Sequence, residues 1–261
     1  MGLAYERHGS GPPLVLLHGV GHRRQAWDAV LDRLAPHRDV ILIDLPGHGE
    51  SPPLRLDGQP SLTVMLDAVT GLLDELGVTR PHFAGNSLGG RLSLEAGVAG
   101  RAATVTALSP AGFWRSRAEM LYGWAVFKIM EATGAWTRPL APALARSALG
   151  RAVVFSAIVS RPARLSPQQA LGDIMSFTAA TDAINLILTD IGNFTGRVPE
   201  GIPVTIGWGS RDRLLFPRQA RLVKAQLPEA RLVRLPGCGH VPMTDDPALV
   251  ADVLLRGSAR A

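Results

Sequence analysis

With 261 residues, 46 % of them apolar, the chain can bury a large core without disulfide staples, and its one cysteine, Cys238, cannot form one internally. The formal charge of +5 is spread over arginines in separate local contexts and aromatic residues make up only 5 %, which excludes the basic stripe with interleaved aromatics of a nucleic-acid binder. No secretory leader pattern opens the sequence, Glu6 stands where a myristoylation signal needs Ser or Thr, and no uncharged apolar run reaches the roughly 18–20 residues of a membrane span, so a soluble, cytoplasmic protein is expected.

Taken in chain order, the apolar runs 14–17, 40–43, 82–84, 105–108, 204–206 and 232–235 are short, mostly Val, Ile and Leu, and bounded by Gly, Pro or polar residues. They predict strands covered on both faces. Helical periodicity fills the gaps. Trp27, Val30, Leu31 and Leu34 keep the i, i+3, i+4, i+7 spacing, and Leu62, Met65, Leu66, Val69, Leu72, Leu73 and Leu76 keep it until Gly77 stops the helix. Pro217 opens another, with Leu222, Val223 and Leu227 on one face. Asp246-Pro247 reads as an N-cap followed by Pro at the first helical position, leading into Leu249, Val250, Val253 and Leu254. This alternation predicts an α/β protein with a mostly parallel central sheet flanked by helices.

The alternation breaks between about Phe113 and Arg197, where apolar helical pieces (120–130, 153–159, 184–188) are separated by Pro139, Pro142, Pro162 and Pro167. This stretch reads as a helical cap, residues 113–197, inserted into a core formed by 1–112 and 198–261.

After the strand at 82–84 comes Gly85-Asn86-Ser87-Leu88-Gly89-Gly90 and then a helix beginning near Arg91. This is G-x-S-x-G in its strand–turn–helix setting, which raises a serine hydroxyl above the sheet edge with a helix N-terminus behind it. A serine needs a base, usually a histidine held by a carboxylate. Where such an elbow carries the nucleophile, the chain order is nucleophile, acid, histidine. Only His240 of the seven histidines follows Ser87, in a loop after the last strand. The run 202–208 ends in Gly209-Ser210-Arg211-Asp212, which puts a carboxylate just past a strand, whereas Ser109-Pro110 after the preceding strand offers none. Asp245 and Asp246 read as helix-capping groups. The predicted triad is Ser87, Asp212 and His240. Cys238 reads as a small packed residue, nothing has metal-ligand spacing, and no cofactor is expected.

The runs Leu16-Leu17-His18-Gly19-Val20, Asp44-Leu45-Pro46-Gly47-His48-Gly49-Glu50-Ser51, GNSLGG, GSRD and GCGH together closely resemble the α/β-hydrolase superfamily over nearly the whole chain. The resemblance implies the α/β-hydrolase fold, a serine esterase or lipase-like activity, and an oxyanion hole made by the backbone N–H groups of Val20 and Leu88. His18 and His48 are expected to shape their loops through hydrogen bonds. The implied substrate is a small-molecule ester or acyl compound, bound without nucleic acid or stable membrane insertion, by a monomer or homodimer. Phe113, Trp114, Trp124, Phe127 and Trp136 are candidates to line an acyl pocket.

Other chemistries of similar proteins stay open. Haloalkane dehalogenases and epoxide hydrolases use an aspartate nucleophile, which Ser87 excludes. Carbon–carbon hydrolases of ring-fission diketones share the GNS-x-GG elbow and a W-G-x-x-D-R stretch, but this chain has Val241-Pro242-Met243-Thr244 where they are rich in aromatics. Arg91 resembles the elbow arginine that holds a substrate carboxylate in the elimination lyase of menaquinone biosynthesis, and is a substrate-binding candidate. Perhydrolase activity and a ligand receptor on the same scaffold are the remaining alternatives.

Overall fold

A computed structural model describes residues 2–259. Seven strands form one sheet in the order β1-β3-β2-β4-β5-β6-β7: β1 (Tyr5–Gly9), β2 (Pro13–Leu17), β3 (Asp39–Ile43), β4 (His82–Asn86), β5 (Thr104–Leu108), β6 (Val204–Gly209) and β7 (Arg231–Leu235). Every pairing is parallel except β1 with β3. β3, β4 and β5 are buried along their whole length, which is why β3 reads as an unbroken apolar run after Asp39 rather than an alternating one.

β1 is the strand that the hydrophobic pattern does not reveal. Its sequence YERHG alternates between exposed and half-buried positions. It is an edge strand held by ladder bonds and by the bidentate pairing of Arg7 with Asp39 on β3, at 2.8 and 2.6 Å.

The helices of the core are α1 (Asp28–Leu34), α2 (Ser61–Glu75), α3 (Leu88–Val98), α9 (Ala220–Gln226), α10 (Pro242–Asp245) and α11 (Pro247–Gly257). α1 packs with α11 and α2 with α3. Asp246 caps α11 by accepting from the Leu249 N–H at 3.1 Å, as the Asp-Pro pair predicts. Between β5 and β6 the chain forms five helices and no strand: α4 (Arg117–Thr137), α5 (Ala141–Arg146), α6 (Ala148–Phe155), α7 (Pro167–Ala179) and α8 (Thr181–Asp190). Among the described residues, no single helix is long and apolar enough to cross a membrane.

The parallel arrangement brings the loops after β2, β4, β6 and β7 to one edge of the sheet, the carboxyl ends of the strands.

Candidate active site

Ser87 occupies the turn between β4 and α3 with φ 56° and ψ −113°, a backbone conformation that costs a non-glycine residue about 1–3 kcal/mol. Its backbone is pinned on both sides: its N–H donates to the Leu108 carbonyl at 2.9 Å, and its own carbonyl accepts from Arg91 and Ala111. The flanking glycines are dictated by space. A Cβ on Gly85 would lie 2.2 Å from the backbone of Gly89, and one on Gly89 would lie 2.0 Å from the Leu17 carbonyl oxygen of β2. The second clash is with a neighbouring strand, so Gly89 lets α3 start flush against β2. That helix begins at Leu88, three residues earlier than the sequence suggests.

The loop after β2 runs beside the elbow, so close that a Cβ on Gly19 would meet the Ser87 Cβ at 3.3 Å. The backbone N–H groups of Val20 and Leu88 donate to no acceptor among the described residues, and both residues border the same cleft as Ser87. Neutral histidines hold this region, as expected. The His18 Nδ1–H donates to the Gly19 carbonyl at 2.8 Å, while its Nε2 accepts from the Leu45 N–H at 3.0 Å. His48 donates to the Pro46 carbonyl at 3.0 Å and packs on His18 with ring centroids 5.2 Å apart. Burial pushes His18 well below the usual histidine range and His48 down to about 4. Neither is available as a base at the elbow.

Asp212 and His240 meet at the same edge. Asp212 follows β6 and is almost fully buried. Its Oδ1 accepts from the N–H groups of Leu214 and Leu215, both at 2.9 Å, and its Oδ2 accepts from His240 Nδ1 at 2.9 Å. One oxygen is thus fixed by backbone, and the other fixes the imidazole tautomer with the proton on Nδ1. His240 is also tied to the elbow, because the Asn86 side-chain amide donates to its carbonyl at 2.9 Å. The residue next to Ser87 therefore positions the histidine loop.

Asp245 is not a helix cap. Its carboxylate accepts three backbone N–H groups, from Gly239 at 2.7 Å, Ser160 at 3.0 Å and Arg161 at 2.6 Å. It joins the histidine loop to the chain that follows α6, and the Val241 N–H adds a bond to the Ile158 carbonyl at 2.9 Å. Sequence reading misses this because Ser160 and Arg161 lie 85 and 84 positions away. Cys238 is buried in the same loop with its thiol pushed up to about 11 by burial and by the nearby acids, so it stays protonated.

A narrow apolar cleft of about 40 Å³ opens at Ser87 and is closed by α4 and α8. Trp114, Trp124 and Phe127 line it, together with Ile187, Leu188 and Ile191 from around α8. Two of the aromatic candidates lie elsewhere: Phe113 packs against Phe194 with centroids 5.6 Å apart, and Trp136 is 87 % exposed. Arg91 also faces away from the cleft. Its guanidinium donates to Glu95 at 2.7 Å and to the Gly192 carbonyl at 2.8 Å, and lies over the Phe194 ring. Those contacts tie α3 to the chain leaving α8. Among the described residues, no cluster of three or more His, Cys, Asp or Glu side chains is arranged to hold a metal ion.

Comparison with known proteins gives a consistent picture. The model of the alpha/beta hydrolase family matches residues 14–253. The chain is 29 % identical over 267 residues to an uncharacterized protein of Mycobacterium tuberculosis, covering 97 % of this chain and 77 % of that one. It is 25 % identical over 249 residues to Lipase 3 of Moraxella sp., covering 90 % of this chain and 74 % of the lipase. Among solved structures, a thermophilic esterase from Thermogutta terrifontis aligns with a TM-score of 0.72 at 20 % identity, over 97 % of this chain and 92 % of that one. At that identity the likeness is one of fold.

Proposed function

Since the chain belongs to the alpha/beta hydrolase family, we propose that it cleaves the carboxylic ester, or a related acyl bond, of a small apolar acyl group through Ser87, His240 and Asp212. The observation that carries this reading is the Asp212–His240 bond of 2.9 Å, with the other Asp212 oxygen held by two amides, on the sheet edge where Ser87 sits in its strained turn. An aspartate so held supports a neutral imidazole with Nε2 free to act as base.

Ser87 Oγ attacks the acyl carbon as His240 takes its proton. The negative charge that develops on the carbonyl oxygen is received by the N–H groups of Val20 and Leu88, at the positive end of α3. His240 returns the proton to the leaving alcohol. Water then enters, gives a proton to His240, and attacks the acyl-enzyme to release the acid. The helical segment 113–197 serves as the lid that excludes water and shapes the cleft. Arg91 is occupied by Glu95 and Gly192, so it lends no support to the elimination reading.

A cleft of about 40 Å³ suits a short acyl chain. Rates on p-nitrophenyl acetate, butyrate and octanoate are expected to fall with chain length. Ser87→Ala should lose at least about 1000-fold and Asp212→Asn about 10,000-fold in kcat, with both proteins still folded by circular dichroism. Undiminished turnover by Ser87→Ala would overturn the assignment.

A further inference from the structure

A second and larger cavity, about 650 Å³ in volume, lies beside the proposed catalytic edge and has polar walls. His22, Arg23 and Gln25, from the chain between β2 and α1, face Gln169 and Asp173 of α7 across it, and Thr244 of α10 also borders it. Val20, two residues before His22, lines the Ser87 cleft. The loop after β2 is therefore a wall common to both spaces. His240 is near enough to His22 for its charge to oppose protonation of that imidazole.

The polar groups of this wall lack partners. The Arg23 side chain makes no hydrogen bond or ion pair among the described residues, and its Nε is buried. Nδ1 of His22 and Oε1 of Gln25 are likewise buried and unpaired, and no hydrogen bond reaches the Asp173 carboxyl among the described residues. Buried polar groups in native proteins are nearly always hydrogen-bonded, so the three left unpaired on His22, Arg23 and Gln25 at one cavity mark a place built for something polar. The backbone is also shaped for Arg23. A Cβ on Gly172 of α7 would lie 2.0 Å from its Nη2, so a side chain there would push the guanidinium aside.

The charges choose the ligand. Arg23 cannot shed its proton, whereas burial pushes Asp173 up and His22 down, each toward its neutral form. Arg164, whose Nη1 donates to the Asp245 carbonyl, and Asp28 both stand at the exposed rim. A guanidinium without a hydrogen-bonding partner suits a carboxylate on its fork, with a hydroxyl beside Asp173 and His22.

We propose that this cavity binds the alcohol portion of the substrate, a small hydroxy-carboxylate, while the short acyl group occupies the apolar cleft at Ser87. The assignment rests on the ester-hydrolase reading. Acylation then breaks the bond between the acyl carbon and the ester oxygen, and the hydroxy-carboxylate leaves with the proton that His240 took from Ser87.

The test compares kcat/KM of the full chain on acetyl-lactate, which carries the carboxylate, and on its neutral amide, with p-nitrophenyl acetate as a reference lacking that group. The wild type is expected to favour the carboxylate by at least about tenfold, the effect of one charge-assisted hydrogen bond. Arg23→Gln should erase that preference and Gly172→Ala, which displaces the guanidinium without removing it, should weaken it. Both variants are read by the carboxylate-to-amide ratio within each protein, which cancels any change in the rate common to all esters. Equal rates on carboxylate and amide, or a preference that survives Arg23→Gln, would overturn the subsite while leaving the ester-hydrolase reading intact. If none of the esters is hydrolysed, that reading fails first, and calorimetric titration of the wild type with lactate decides the cavity. Saturable binding lost in Arg23→Gln supports a hydroxy-carboxylate site, and no binding overturns it.

Discussion

Replacing Asp245 by alanine would leave the N–H groups of Gly239, Ser160 and Arg161 without their shared acceptor, the first of them buried. The expected cost is about 1–3 kcal/mol in urea unfolding, the cost of one unsatisfied buried donor. Because Gly239 adjoins His240, kcat should fall as well, with KM changed less; a variant as stable and active as the wild type would refute the role of Asp245 in holding the histidine loop. The buried histidines add a pH dependence. His48 titrates at about 4 in the fold and at its ordinary value of 6.5 when unfolded, so between those values the unfolded chain binds the extra proton. Stability therefore rises with pH across that window and is lost as pH falls through it, by up to about 3 kcal/mol from His48. His18 acts in the same direction. Denaturation midpoints measured from pH 7 to pH 4 should fall, and His48→Gln should flatten the fall.

At the scale of elements, the neighbouring Asp246 has a separate role, since it caps α11 alone. Asp246→Ala should cost about 1 kcal/mol of stability with kcat unchanged, in contrast to its neighbour; a loss of activity matching that of Asp245→Ala would contradict this separation. The comparison also shows what sequence pattern reaches. Strands β2 to β6 and the cap of α11 are written in local composition, because a strand covered on both faces must be apolar and a helix start needs a short polar acceptor. β7, expected to be covered on both faces, is instead an edge strand with Arg231, Leu232 and Arg234 exposed. β1 escapes because an edge strand can be polar, and its partner is supplied by β3 at a distance in the chain. The site follows the same division. Ser87, Asp212 and His240 are legible through their positions after strands. His22 and Asp173 are not, because their chemistry arises only where the loop after β2 meets α7. Among the aromatics, Trp136 carries the same signal as Trp124, and only the rotation of α4 decides that one is exposed and the other lines the cleft.

Across the whole molecule, burial is uneven. Strands β3, β4 and β5 are sunk in the core, whereas α4 has only Glu119 and Gly123 buried along 21 residues, and Ile129 on it is 62 % exposed. Local opening is easiest where few apolar contacts must be broken. Native-state hydrogen exchange should therefore show amides in the second half of α4 exchanging well before those of β3, β4 and β5. Equal protection of both would mean that the helical segment and the sheet open as one unit. Such motion can be watched directly, because the only native thiol, Cys238, is enclosed and stays protonated. The wild-type chain already serves as a silent background for maleimide chemistry: with Leu149→Cys, at a position 74 % exposed on α6, a fluorophore or spin label would report from one address, with no native residue to be engineered away first.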